Sequence, residues 1–318
     1  MCASPVPVNV LGSLSSGRIR TVDDVVEFEA HRSRLFGIAY RMLGSATEAE
    51  DIVQDAYLRW SQAEDVETPS AWLATVVTNL CLNQLTSARA RRERYVGPWL
   101  PEPVATADGT LGPVDTAERR ESVSFALLVL LEQLTPVERA VFVLREAFAY
   151  PHAEVAAVLG LSEANSRQVH RRARQRLVGH QPRRSASRGQ ELLERFLAAA
   201  YEGDVAGLER LLAADATSWA DGGGKVNAAR RPVVGANRVA RYLIGILARF
   251  DTATNVSFVE VNGDLAVVGW VGETPLGLFA PQIEGDWVVA LRIVANPDKL
   301  TYLAAQLSRS GELSGLQG

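Results

Sequence analysis

The chain has 318 residues, 47% of them apolar and 22% charged, which is too apolar for global disorder and long enough for two or three separate cores. Its two cysteines, Cys2 and Cys81, exclude a disulfide framework and a Cys/His metal pattern. Net charge is −4; taken whole, that balance argues against a nucleic-acid binder, whose footprint is basic.

Residues 1–20, rich in Ser, Pro and Gly, read as a disordered lead-in. They lack the charged start and apolar core of a leader, and no apolar run approaches the roughly 18 residues that cross a bilayer. A reduced, cytoplasmic protein with no membrane partner is expected. Residues 21–95 are helical. Val25, Val26, Phe28, Leu35, Ile38, Ala39 and Met42 keep a 3.6-residue rhythm that ends at Gly44. Thr47-Glu48-Ala49-Glu50 reads as a capping box opening a second helix. Ala49, Ile52, Val53, Ala56, Tyr57 and Trp60 form its buried stripe. Glu50, Asp51, Gln54, Asp55 and Arg59 lie on its other face. A third helix starts at Thr68-Pro69 and ends in Arg89, Arg91, Arg92 and Arg94.

Residues 96–115 hold four prolines and three glycines, and read as an extended linker. Helical text resumes over 116–181, where Thr135-Pro136-Val137-Glu138 places cap, Pro and Glu in order. A short linker, 182–189, follows. Over 190–305 the pattern changes to two amphipathic helices, the turn-rich Asp221-Gly222-Gly223-Gly224-Lys225, a helix near 236–250, and strands around 254–261, 265–271, 276–280 and 287–294. Asn262-Gly263 marks a hairpin. Residues 306–318 read as a tail.

The charge is unevenly laid out. Residues 1–188 carry 22 basic and 22 acidic side chains, while residues 162–188 alone carry eight Arg against one Glu. The informative segment is Tyr150 to Leu177: Val155, Ala156 and Leu159 form a short helical face, Gly160 permits a tight turn, and Ser162 caps a second helix. The second helix buries Val169, Ala173 and Leu177. It presents Asn165, Arg167, Gln168, Arg171, Arg172, Arg174 and Arg176, the donors that base edges and phosphates require.

Residues 23–177 resemble bacterial sigma factors of the extracytoplasmic-function type. One block of the resemblance is Asp51-Ile52-Val53-Gln54-Asp55-Ala56-Tyr57-Leu58-Arg59-Trp60, with Pro69-Ser70-Ala71-Trp72-Leu73 and Asn79-Leu80. The other is Leu134-Thr135-Pro136-Val137-Glu138-Arg139-Ala140-Val141-Phe142-Val143-Leu144-Arg145, closed by His170-Arg171-Arg172-Ala173-Arg174. The tail resembles SnoaL-like members of the nuclear-transport-factor-two-like fold. Trp99-Leu100-Pro101-Glu102-Pro103, Asp221-Gly222-Gly223-Gly224-Lys225 and Asn296-Pro297-Asp298-Lys299-Leu300 are shared with sigma factors that carry such a tail.

The resemblance implies a multidomain chain: a sigma-two helical bundle and a sigma-four helix-turn-helix, both all-α, then an α+β SnoaL-like cone. It implies a non-catalytic initiation subunit without cofactors, whose partners are core RNA polymerase and promoter DNA. Asp51, Gln54, Asp55 and Arg59 would dock on polymerase. Asn79, Asn83, Arg89, Arg91, Arg92 and Arg94 would read the minus-ten element, and residues 162–176 the minus-thirty-five element. Trp99, Asp221, Lys225, Asn296, Asp298 and Lys299 would make regulatory contacts between domains, in place of a separate anti-sigma protein. The family more often has Asp at Asn83 and apolar residues at Ser166 and His170. His170 reads as a half-buried packing residue, and Trp72 as core.

Other readings stand beside this one. A helix-turn-helix regulator sensing a small molecule in its C-terminal domain would leave the acidic helix 48–60 without a purpose. An enzyme would need polar residues converging in the tail; Asp221 is a candidate acid/base there, against the plainer expectation of a glycine-permitted loop making interdomain contacts. The tail's acidic surplus gives it charge complementary to the Arg-rich reading surfaces.

Overall fold

A computed structural model of the chain describes residues 22–64, 66–92, 94–106, 110–111, 122–177, 189–249 and 255–310. The lead-in, most of 107–121, the short linker 182–188 and residues 311–318 lie outside this description. Among the described residues, no helix is long and apolar enough to cross a membrane.

Three helices come first: α1 (Val22–Leu43), α2 (Ala46–Trp60) and α3 (Pro69–Arg92). Gly44, at φ +65°, turns the chain out of α1. The cap of α2 differs from the expected Thr47–Glu50 box. Ser45 is the N-cap, its Oγ accepting from Glu48 N at 3.1 Å. Thr47 N and Oγ1 instead donate to Glu102, at 2.9 and 3.2 Å. The linker carboxylate thus sits on the positive end of α2, which takes over the task the box would perform.

The second helical unit comprises α4 (Phe125–Leu131), α5 (Pro136–Phe142) with a π turn at Val143–Ala147, α6 (His152–Leu159) and α7 (Glu163–Leu177). The capping box at Thr135 and Glu138 is present. The two units share one apolar core in which Leu35, Met42, Leu73 and Val77 join Leu128, Leu131, Val141 and Val155.

In the C-terminal domain, α8 (Gly189–Tyr201) and α9 (Val205–Leu211) lead into β1 (Leu212–Asp221), β2 (Val233–Val234), α10 (Ala236–Leu247), β3 (Asn255–Val261), β4 (Asp264–Val271), β5 (Thr274–Glu284), β6 (Trp287–Val294) and α11 (Pro297–Ser310). The sheet order is β2-β1-β6-β5-β4-β3, with β1 parallel to β6 and the other pairs antiparallel. Helices α8–α10 bury one face. The other face packs on α11 and on Leu100, Ala105 and Phe125, so linker and tail share a core. Helix α11 runs past position 305, and Gln306 and Leu307 are buried in it.

Residues 100–106 are therefore part of the tail's packing. Thr106 N donates to Glu260 O (3.1 Å), and Ala105 bridges Val261 as one further antiparallel partner. Asn262 and Gly263, at φ +56° and +78°, make the expected hairpin turn. The turn is also a plug. Asn262 is fully buried, its Nδ2 donating to Tyr40 Oη (2.6 Å) and Val123 O (2.8 Å), its Oδ1 accepting from Val104 N (3.2 Å).

Candidate functional site

On α2, Asp51, Gln54, Asp55 and Arg59 are exposed, opposite buried Ile52, Val53, Ala56 and Trp60. Leu58 stands among them with 56% of its surface open to water. A reading led by charge passes over it, yet positions 51, 54, 55 and 58 fall on one helical face. Glu50, next to that face, is already engaged by Arg32 (2.6 Å) and the Tyr302 hydroxyl (3.2 Å). Trp72 packs against Trp60, ring centres 5.9 Å apart, as a core residue.

Asn79 and Asn83 lie exposed, one turn apart, on α3. Arg94 is exposed just beyond the helix; the side chains of Arg89 and Arg91 lie outside the described residues. Arg92 departs from expectation. Its guanidinium is largely buried, donates to Glu132 and Leu43 O, and stacks 3.9 Å from the Trp99 ring centre. Arg139 reaches Glu132 (2.8 Å), Met42 O (2.8 Å) and Leu131 O (2.6 Å). In this arrangement Arg92 is thus a clamp joining the two helical units through Glu132.

On α7, Asn165, Arg167, Gln168, Arg171, Arg172 and Arg174 are exposed. Gly160 takes the left-handed conformation at φ +64°, and Ser162 Oγ accepts from Asn165 N at 3.2 Å. Arg176 differs from its neighbours: it donates to the buried carboxylate of Glu138 (2.6 Å) and so pins α7 to α5. Arg167 pairs with Glu163 one turn away. Ser166 and His170 tie the helix down: His152 Nδ1 and Ser166 Oγ are 3.0 Å apart, and His170 Nε2 meets Glu146 at 2.7 Å. That hydrogen bond holds the Glu146 carboxyl below its usual range, while burial, chiefly, lowers His152. Among the described residues the tail packs on the linker and on α1, α2 and α4, and the Arg face of α7 stays exposed.

Four of the six proposed regulatory residues, Trp99, Asp221, Asn296 and Lys299, meet at one joint. Asp221 is fully buried: Oδ1 accepts from Tyr95 Oη (2.5 Å) and Gly223 N (3.1 Å), Oδ2 from Leu100 N (2.8 Å) and Lys299 Nζ (2.7 Å). Its backbone oxygen accepts from Ala295 N and Asn296 N, both at 2.8 Å. Asn296 Nδ2 donates to Tyr95 Oη (2.8 Å). Lys299 also donates to Leu100 O and lies 4.3 Å from the Trp99 ring centre, leaving Trp99 between two cations. Burial pushes the Lys299 ammonium below its ordinary pKa and the Tyr95 hydroxyl above its own. Lys225 and Asp298 pair on the exposed rim at 2.6 Å. With four donors on its carboxylate, Asp221 is a joint and not an acid/base group.

Sequence reasoning missed Tyr95, Glu102, Glu132, Arg139, Asn262 and Gln306. Of these, Glu102, Arg139 and Asn262 stood inside recognised motifs, though none of them for the contact it makes. The slot between α8 and the sheet, lined by Leu197, Tyr201, Leu247 and Phe279, measures about 10 Å³, room for no more than one water.

Residues 28–91 match the model of Sigma-70 region 2, and residues 124–177 that of Sigma-70, region 4. The chain is 40% identical over 291 residues to the ECF RNA polymerase sigma factor SigJ of Mycobacterium tuberculosis, spanning 87% of this chain and 93% of that protein. It is 32% identical over 291 residues to the probable ECF sigma factor SigI of the same organism, with 88% and 96% spanned. The crystal structure of Mycobacterium tuberculosis SigJ superposes with a TM-score of 0.70 at 38% identity, covering 87% of this chain and 98% of that one. Helical regions 2 and 4 followed by an α+β domain, in the order and extent found in SigJ, place the chain in the family of ECF RNA polymerase sigma factors, which are non-catalytic initiation subunits.

Proposed function

We propose that Asp51, Gln54, Asp55, Leu58 and Arg59 on α2 dock on core RNA polymerase in the cytoplasm. An apolar centre ringed by charge suits a stable, oriented contact. Asn79, Asn83 and Arg94, with Arg89 and Arg91, read the opened minus-ten strand, where exposed bases and phosphates need hydrogen bonds and positive charge. Asn165, Arg167, Gln168, Arg171, Arg172 and Arg174 enter the major groove of the minus-thirty-five element.

The tail is the regulator, and no separate anti-sigma protein is required. Two elements about 25 base pairs apart are separated by roughly 85 Å of duplex. A body in which α3 and α5 share a core cannot reach both, so the units must part before the promoter is read. The observation that carries this reading is the clamp of Arg92 and Arg139 on Glu132, backed by a linker whose amides are held by Asp221, Asn262 and Gln306.

Transcription in vitro with purified core polymerase on a cognate promoter tests it. Promoter-specific initiation that rises when the clamp is cut by Glu132→Ala supports both halves. Binding to duplex DNA without polymerase, and no initiation with it, would assign the chain to the repressor class instead. Equal activity of the variant and the parent would remove the regulatory half.

A further inference from the structure

A hollow of about 270 Å³ opens where the linker meets the tail. Val96 and Gly97 form its linker wall; Ala220, Val226, Asn227 and Arg230 belong to its tail wall. The walls are in near contact at the base. A Cβ on Gly97 would stand 3.7 Å from the Arg230 backbone, and one on Gly224 would stand 3.3 Å from Val96.

Most charge around the hollow is already matched. Lys225 is held by both oxygens of Asp298, and Asp221 by Lys299. Arg230 is different: it is exposed and has no hydrogen bond or ion pair among the described residues, and the side chain of Asn227 likewise has none. One unmatched guanidinium beside one amide donor suits a single planar carboxylate. Val96, Val226 and Ala220 offer a small apolar surface for the rest of a ligand. The volume lies just below that of drug-sized sites, whereas the slot inside the tail holds one water at most.

We propose that this junction hollow, not the interior of the tail, binds a small organic monocarboxylate, its carboxylate on Arg230 and Asn227 and its body against Val96 and Val226. Because the two walls belong to linker and tail, an occupant touching both has higher affinity for the docked arrangement and holds the tail in place. This consequence rests on the regulatory reading above; the binding itself does not.

The test is a panel of small aromatic and branched aliphatic carboxylates, each paired with its uncharged amide (benzoate with benzamide, for example). Binding to the full chain is followed by ligand-observed NMR without polymerase. Saturable binding of a carboxylate, with its amide at least tenfold weaker, is expected. Arg230→Gln should weaken binding about tenfold, the usual scale of a charge-assisted hydrogen bond. Val96→Glu, which sets a negative charge on the linker wall, should abolish it. Both positions are exposed, and unchanged circular dichroism shows that the variants fold. No binder in the panel, equal binding of amides, or binding that survives both variants overturns the site. Because polymerase is absent, failure here leaves the transcription test untouched, and the reverse holds too.

Discussion

The Asp221 carboxylate and the Lys299 ammonium lie 2.7 Å apart with side-chain exposures of 0% and 8%, and both also hold the backbone of Leu100, one through its amide and the other through its carbonyl. The pair lies within the C-terminal domain and ties the linker to it. Lys299→Met leaves a buried carboxylate with its cation gone, a loss of about 3–5 kcal/mol. Denaturant unfolding should show it, together with earlier exposure of Trp99 fluorescence. Removing both charges with Asp221→Asn and Lys299→Met should cost less than Lys299→Met alone. If the double variant is the weaker, the pair is stabilising in its own right.

Gly44 is required twice, by its φ of +65° and by Trp99, whose Cη2 would lie 2.7 Å from an added Cβ. Gly44→Ala should cost about 2 kcal/mol through strain and overlap. The same variant with Trp99→Leu should recover the overlap share. A Gly44→Ala midpoint equal to that of the parent would contradict the close approach.

The helix-turn-helix should weaken in acid. Burial sets the folded pKa of His152 below its ordinary 6.5. The unfolded chain then takes up a proton first, and stability falls as pH drops below about 6.5 until the folded value is passed. Glu146 adds in the same direction. Its folded pKa is depressed by His170, so its stabilisation is present above the usual 4.5 and is lost as pH falls through the depressed value. Thermal midpoints measured from pH 7 to pH 5 should decline, and less steeply for His152→Gln. An unchanged slope in that variant would show that His152 does not carry the effect.

Arginines on α7 should divide into two kinds. Arg171→Ala should weaken binding to a minus-thirty-five duplex by about 1–3 kcal/mol if its contact is to a base, and selectively at one position. Arg176→Ala should leave sequence preference alone and lower stability by at most about 1 kcal/mol, since the bond to Glu138 is half exposed. Competition binding with single-base variants separates the two. A preference shift with Arg176→Ala would put that residue in the groove.

What was legible in the sequence followed from local rules. Gly160 with Ser162 fixed the helix-turn-helix, Thr135 to Glu138 fixed a cap, and Asn262-Gly263 fixed a hairpin, because each depends on neighbours within four residues. Strand β1 was not legible: Leu212–Asp221 is rich in Ala and Asp, and only its partners Val233–Val234 and β6 make it extended. Arg92 read as a DNA contact because Arg-rich helix ends are usually solvated. Its true partner, Glu132, lies forty residues on. Thr47 was assigned to a cap for the same reason, since the carboxylate it meets comes from Glu102. Residues 96–115 read as a free linker because Pro and Gly break periodicity; the donors and acceptors that fix 100–106 come from 221, 260, 262 and 306. The residues of the joint were singled out by motif, and their arrangement was set by distance along the chain.

That distance has a consequence for synthesis. Val104 N waits for an acceptor 158 residues later, at Asn262, and Ala105 N for one 201 residues later, at Gln306. At about 5–20 residues per second, roughly ten to forty seconds pass between their emergence from the ribosome and their satisfaction. In the later part of that interval the two helical units are complete while the sheet that packs on the linker is still being made. Each newly made molecule thus passes once through a form in which linker and tail are not yet joined.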